Sequence, residues 1–139
     1  MDKSLQNKIC KKFEKDLFAK TSCIELAEVL PGYAKAIMKV TENHLNAVGV
    51  VQGGAIFTLA DFAFAVASNS RGKIALAIDA EISFFKSVST GTLTAEAREI
   101  SLHNKVGTYL IDISNENGEL IAHFKGTVYR KSENIDFDN

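Results

Sequence analysis

Apolar side chains recur every four positions near the start of the chain, at Leu5, Ile9, Phe13 and Leu17, with lysines between them. That spacing puts all four on one face and predicts an amphipathic helix over residues 5–19. Two short runs follow, Ile24 to Val29 and Tyr33 to Lys39, and read as strands joined by the Pro31-Gly32 turn. A polar loop, Thr41 to Asn46, then leads through Ala47 to Gln52 into the most apolar stretch of the chain. It begins at Gly53-Gly54 and predicts a long helix that stops near Gly72.

Four strand-like runs fill the remainder. Ile74 to Phe85 alternates, with Ile74, Leu76, Ile78, Ala80, Ile82 and Phe84 expected on one face. Within Thr92 to Leu102 the parity changes between Ala97 and Ile100, which predicts a bulge. Val106 to Ser114 follows a His103-Asn104-Lys105 turn, and Glu119 to Arg130 follows Asn117-Gly118, a strong hairpin signal. The polar tail, Lys131 to Asn139, is expected to fray. The long helix would measure about 30 Å, and strands of this length about 35 Å. A helix apolar all round must be enclosed. The expectation is therefore an α+β fold, one domain over residues 1–139. In it an antiparallel sheet of about six strands curls round the long helix, and an N-terminal helix packs outside.

Composition narrows the classes of partner. The 139 residues carry a formal net charge of -1, which supplies no long-range pull toward nucleic acid or an anionic membrane. Cys10 and Cys23 form no CxxC pair and have no histidine at ligand spacing, so neither metal nor other cofactor is expected. The residues from Met1 to Lys8 are polar, unlike a signal peptide, and the expected compartment is the cytoplasm. Val48 to Ala67 would score as a membrane span, but Gln52, Gly53, Gly54 and Asp61 interrupt it. A central aspartate costs about 2.5–3.5 kcal/mol on insertion scales. No membrane partner is expected.

Candidate chemistry centres on Asp61, the only ionisable residue between Gly53 and Ser70. Burying an unpaired carboxylate costs on the order of several kcal/mol, so a chain that keeps one there is expected to use it. At the head of the same helix, Gly53 and Gly54 let a ligand approach the backbone, and they offer unpaired N–H groups at the positive end of the helix dipole. Such a place suits an oxygen that gains negative charge during a reaction. Asp61 projects from the same side, about 11 Å further along the axis. That gap is too wide for one small reaction centre. Two copies facing each other would bring one chain's carboxylate near the other's glycines.

The run Asn46-Ala47-Val48-Gly49-Val50-Val51-Gln52-Gly53-Gly54, followed by Leu59-Ala60-Asp61, carries a resemblance. It is similar to the N-x-x-G-x-x-H-G-G-x-x-x-x-L-x-D signature of hotdog-fold acyl-CoA thioesterases, and looks most like their PaaI-type branch. The resemblance implies two subunits joined sheet edge to edge, with dimers often paired as tetramers, and an acyl-CoA substrate bound between subunits. Asp61 would be general base on water, or nucleophile through a mixed anhydride. The Gly53 N–H, with Gly54, would polarise the thioester carbonyl from the partner chain, and Asn46 would position the carbonyl or the water. The nucleotide would lie near basic side chains such as Lys86, Arg98, Lys105 or Arg130. Two positions depart from the pattern. Gln52 replaces the usual histidine and can orient the loop but cannot transfer protons near neutral pH. Ala77 stands where some relatives place a hydroxyl near the water.

Structural roles compete with these. Asp61 could pair with a backbone group or an interface lysine, and Asn46 could simply brace the loop. His44 is expected to be a solvated loop histidine, and His103 and His123 are not expected to act as bases. Phe57, Phe62 and Phe64 are expected in the core or a dimer interface, at most one lining an acyl pocket. Two other functions suit the same fold. A non-catalytic acyl-CoA-binding module fits Gln52 and Ala77. A hydratase or dehydratase would want the histidine that Gln52 removes. A ligand-sensing repressor is not supported, because no helix-turn-helix unit or basic patch appears at either end.

Overall fold

The computed structural model describes residues 1–138. In chain order the elements are α1 (Lys3–Phe13), α2 (Leu17–Thr21), β1 (Ile24–Leu30), β2 (Tyr33–Lys39), a 3-10 turn (Glu42–His44), α3 (Gly53–Asn69), β3 (Lys73–Phe84), β4 (Thr92–Leu102), β5 (Val106–Ser114) and β6 (Leu120–Asn134). The strands form one antiparallel sheet in the order β1-β2-β4-β5-β6-β3. α3 touches every strand of it. This is the α+β arrangement of one long helix held in a six-stranded sheet.

The packing follows from the alternation of the strands. Ala34, Ala36 and Met38 of β2, Leu93, Ala95 and Ala97 of β4, and Tyr109, Ile111 and Ile113 of β5 are buried against α3. The small residues let the helix come close. At Gly126 of β6 only glycine leaves room for a ring from the helix, since a Cβ there would stand 2.5 Å from Cζ of Phe64. Phe64 also packs on Tyr109 and Phe124 with ring centroids 5.8 and 5.6 Å away. Phe62 meets Phe13 edge-on at 6.1 Å, and Phe57 meets Phe124 at 5.2 Å. Phe62 and Phe64 are therefore core residues, and Phe57 is half-buried against the core. The bulge expected in β4 lies between Glu99 and Ser101.

Three expectations need correction. The helix over residues 5–19 is two helices, because Asp16 accepts a hydrogen bond from Ala19 N–H (3.0 Å) and so caps a new one, α2. The single apolar face expected over Ile74 to Phe85 is broken as well. β3 shifts register between Lys73 and Ala75 and between Ala77 and Asp79. Leu76 consequently pairs with exposed Tyr129 on the outer face, whereas Ala77, Ala80, Ile82 and Phe84 share the inner face with Val128, Gly126, Phe124 and Ala122. Finally, the chain past Arg130 is not frayed. β6 runs on to Asn134, Ile135 N–H donates to the Gly72 carbonyl (2.8 Å), and Ile135 and Phe137 pack on the core. Asn139 lies outside the described residues.

Candidate active site

The loop that leads into α3 is held by backbone bonds and by two of its own side chains. Leu45 and Val51 form a bridge, Asn46 N–H donates to the Val50 carbonyl (2.8 Å), and Gln52 N–H donates to the His44 carbonyl (2.8 Å). Val51 N–H reaches the Val88 carbonyl (2.8 Å), which ties the loop to the segment after β3. Asn46 braces it from within, since its Oδ1 accepts from Val48 N–H (3.0 Å) and Val50 N–H (3.2 Å). Only the Nδ2 donors of Asn46 are left to meet a ligand.

His44 is not the solvated residue expected from the sequence. Its ring is buried and spans two segments. Thr41 N–H donates to Nδ1 (2.9 Å), so Nε2 carries the proton and bonds the Ser22 carbonyl (2.7 Å). The histidine thus fastens the loop to the corner between α2 and β1. Thr41 three residues ahead of it is the sequence signal, because the pair closes a capping box.

At the head of α3 the first amides to find partners are those of Ala55 and Ile56, both on the Gln52 carbonyl (3.0 and 3.3 Å). No side chain caps the helix. The Gly53 and Gly54 N–H groups, the first two of the helix, have no partner within it. Gln52 is exposed and its side chain folds back, its Oε1 lying 3.0 Å from where a Gly54 Cβ would be. Gly53 is kept small by a different neighbour, Phe84, whose Cζ lies 3.1 Å from the equivalent Cβ position.

Asp61 departs from the sequence expectation in one respect. It is exposed, not buried. Gly54, Thr58, Asp61 and Ala65 fall at successive helical steps along the one side of α3 that the sheet leaves open. Among the described residues no hydrogen bond or ion pair engages the Asp61 carboxylate. Crowding by the surrounding protein nonetheless desolvates it and raises its pKa above the usual carboxylate range, with the Asp16 carboxylate adding to the rise. The two observations fit a group that lies open to an approaching molecule but close to the α1–α2 corner.

β3 is an edge strand. It leaves the helix after a short turn at Gly72 and runs back past it, so that Phe84 reaches Gly53 at the far end. Ala77, on the inner face midway along, is exposed, and so are Leu76, Ile78, Phe84 and Phe85. The structure therefore brings Asp61, the Gly53–Gly54 amides and the inner face of β3 to the open flank of one helix. It does not bring Asp61 and the amides to a single point. Of the basic candidates, Lys86 is ion-paired with Glu119 and Arg98 with Glu96 (3.0 Å). Lys105 and Arg130 instead line a cleft of about 340 Å³ together with Lys73 and Lys131, and no carboxylate lines it. His123 bonds Asp112 (2.7 Å) on the outer face, and His103 is exposed, so neither stands at the helix flank.

A long helix cradled by six strands, with an uncapped glycine head and one carboxylate on its open side, is the frame of the hotdog thioesterases. Residues 48–122 match the family model of the thioesterase superfamily, and the chain belongs to that family. It is 52% identical over 111 residues to a putative esterase of Archaeoglobus fulgidus, covering 79% of this chain and 72% of the relative. It is 37% identical over 119 residues to the acyl-coenzyme A thioesterase PaaI of Escherichia coli, covering 85% of both. The solved structure of the E. coli PaaI protein, from the phenylacetic acid degradation operon, superposes with a TM-score of 0.88 over 95% of this chain and 99% of that one.

Proposed function

We propose that this protein is an acyl-CoA thioesterase of the PaaI type. It hydrolyses an aryl- or medium-chain acyl-CoA to the free acid and CoA, in the cytoplasm, as a homodimer or a pair of dimers. One observation carries the reading: an unpaired carboxylate and an unpaired pair of helix-head amides share the open flank of α3 but lie two turns apart. A second copy joined along the bare β3 edge would set the Asp61 of one chain against the Gly53 of the other.

In that gap Asp61 takes a proton from water, whose oxygen attacks the thioester carbonyl carbon, or attacks that carbon itself to give a mixed anhydride that water then opens. The carbonyl oxygen gains charge and is held by the Gly53 N–H, with Gly54 beside it. On the water route the C–S bond then breaks and the proton held by Asp61 passes to the CoA thiolate. On the anhydride route the thiolate leaves as the anhydride forms and gains its proton from the water that opens it. Asn46 supports the carbonyl through its Nδ2 donors, its oxygen being committed to the loop. Gln52 shapes the turn over Gly54 and takes no part in proton transfer. Ala77 lines the floor without offering a hydroxyl. The cleft of Lys73, Lys105, Arg130 and Lys131 supplies the cations that phosphates of the nucleotide need.

The test is a hydrolysis screen over CoA thioesters of varied acyl group with Asp61→Asn beside the wild type. The variant should keep the fold and assembly and lose turnover by about a thousandfold. Undiminished hydrolysis by it would end this reading. Gln52 favours a second reading, an acyl-CoA-binding module without catalysis. Tight binding with no wild-type hydrolysis above background would establish that instead.

A further inference from the structure

Gly53 does not need to be glycine for its backbone conformation, since its φ is not in the left-handed region. What keeps it small is the ring of Phe84. A Cβ on Gly53 would meet Cζ at 3.1 Å and both Cε atoms at 3.6 Å, so the ring approaches the helix head tip first. Phe84 is held there from the strand side by pairing with Ala122 and by Phe85 N–H, which donates to the Ile121 carbonyl (2.8 Å). Half of the residue, 51%, is nevertheless exposed. The ring therefore borders the helix head at Gly53 and still has a free side.

We propose that Phe84 is a specificity-determining residue, the apolar wall that presses a thioester carbonyl against the Gly53 amide. The proposal rests on the thioesterase reading and adds to it. Two consequences follow from the chemistry. The ring keeps water off the amide, and a hydrogen bond to a developing oxyanion is stronger in such a site than in water. The ring also fixes the lateral position of the carbonyl, so the atoms on either side of it are selected for fit. Phe84 exchanges no proton and forms no bond.

A four-protein cycle tests this: wild type, Phe84→Ala, Gly53→Ala and the double variant, with Phe84→Leu as the conservative change. Phe84→Ala should lower kcat/KM about tenfold or more, and Phe84→Leu should recover most of the loss. Gly53→Ala keeps its N–H but pushes the ring aside, and should also lose activity. In the double variant the methyl no longer meets the ring, so the two losses should fail to multiply. Phe84→Ala with wild-type kcat/KM, or single losses that multiply without interaction, would overturn the proposal. Either result alongside an inactive Asp61→Asn leaves the thioesterase reading standing, whereas a wild type without turnover overturns both.

Discussion

The two ends of α3 differ in sequence, glycines at the head and polar side chains at the tail, and they end in opposite conditions. At the C-terminal end the side chains of Ser68, Asn69, Ser70 and Arg71 all have partners. Ser70 Oγ donates to the Ala67 carbonyl (2.7 Å) and accepts from Gly32 N–H (2.8 Å). The Asn69 side chain bridges to the Ala65 carbonyl (2.8 Å) and to both backbone groups of Ala75 (3.0 and 3.2 Å). Arg71 and Tyr109 meet on Glu99 at 3.0 and 2.9 Å. The N-terminal end carries two amides without partners among the described residues, and no side-chain cap. N–H groups at a helix head that no protein group engages are left to water until a ligand replaces it. The closed end is tied by its side chains into the fold, and the open end leaves its amides to the ligand that the proposed function places there.

If that division holds, mutations at the two ends should separate rate from stability. His44→Ala is expected to have the larger effect. It strands the Thr41 N–H and the Ser22 carbonyl, on the order of 3 kcal/mol together. It also frees the loop that sets the glycine amides, so turnover well below the melting temperature should fall roughly tenfold to a hundredfold. Ser70→Ala, at the closed end, strands the Gly32 N–H and should cost about 1–3 kcal/mol. Its kcat/KM should stay at the wild-type level. Thermal melts and turnover measured on the same two samples decide the matter, and a Ser70 variant as slow as the His44 variant would erase the distinction.

The same contrast separates what the sequence showed from what it hid. Patterns with a fixed period were legible: six strands, the long helix, the β4 bulge and the Asn117-Gly118 hairpin all stand where alternation and turn residues put them. The glycines and Asp61 were legible too, as chemistry out of place in an apolar run. Asp61's exposure was not, because hydropathy along a helix does not say which side a sheet will leave open. Nor were the two register shifts in β3, because alternation along one strand does not say where its pairing with a neighbour slips. His44 and Asp16 were missed for a shared reason. Each is a polar residue whose role is a hydrogen bond to a backbone group, and such roles appear as spacing signals (Thr41 to His44, Asp16 to Ala19) and not as chemistry.

Asp16 gives the smallest effect and the finest test of the open end. Its carboxylate caps α2 and stands close enough to Asp61 to make that group harder to ionise. Asparagine caps a helix about as well as aspartate, so Asp16→Asn should leave stability nearly unchanged while removing the charge. In the proposed mechanism hydrolysis needs Asp61 ionised, and its raised pKa should then make the rate fall away on the acid side at a higher pH than an ordinary aspartate would allow. With the neighbouring charge gone Asp61 ionises more readily, so the acid limb of the pH–rate profile should move to lower pH. Desolvation is the larger cause of the raised pKa and is untouched by the change. The limb should therefore move only part of the way toward the ordinary carboxylate value. A limb that stays put would mean that the two carboxylates do not sense each other, and that the α1–α2 corner belongs with the closed, structural parts of the molecule.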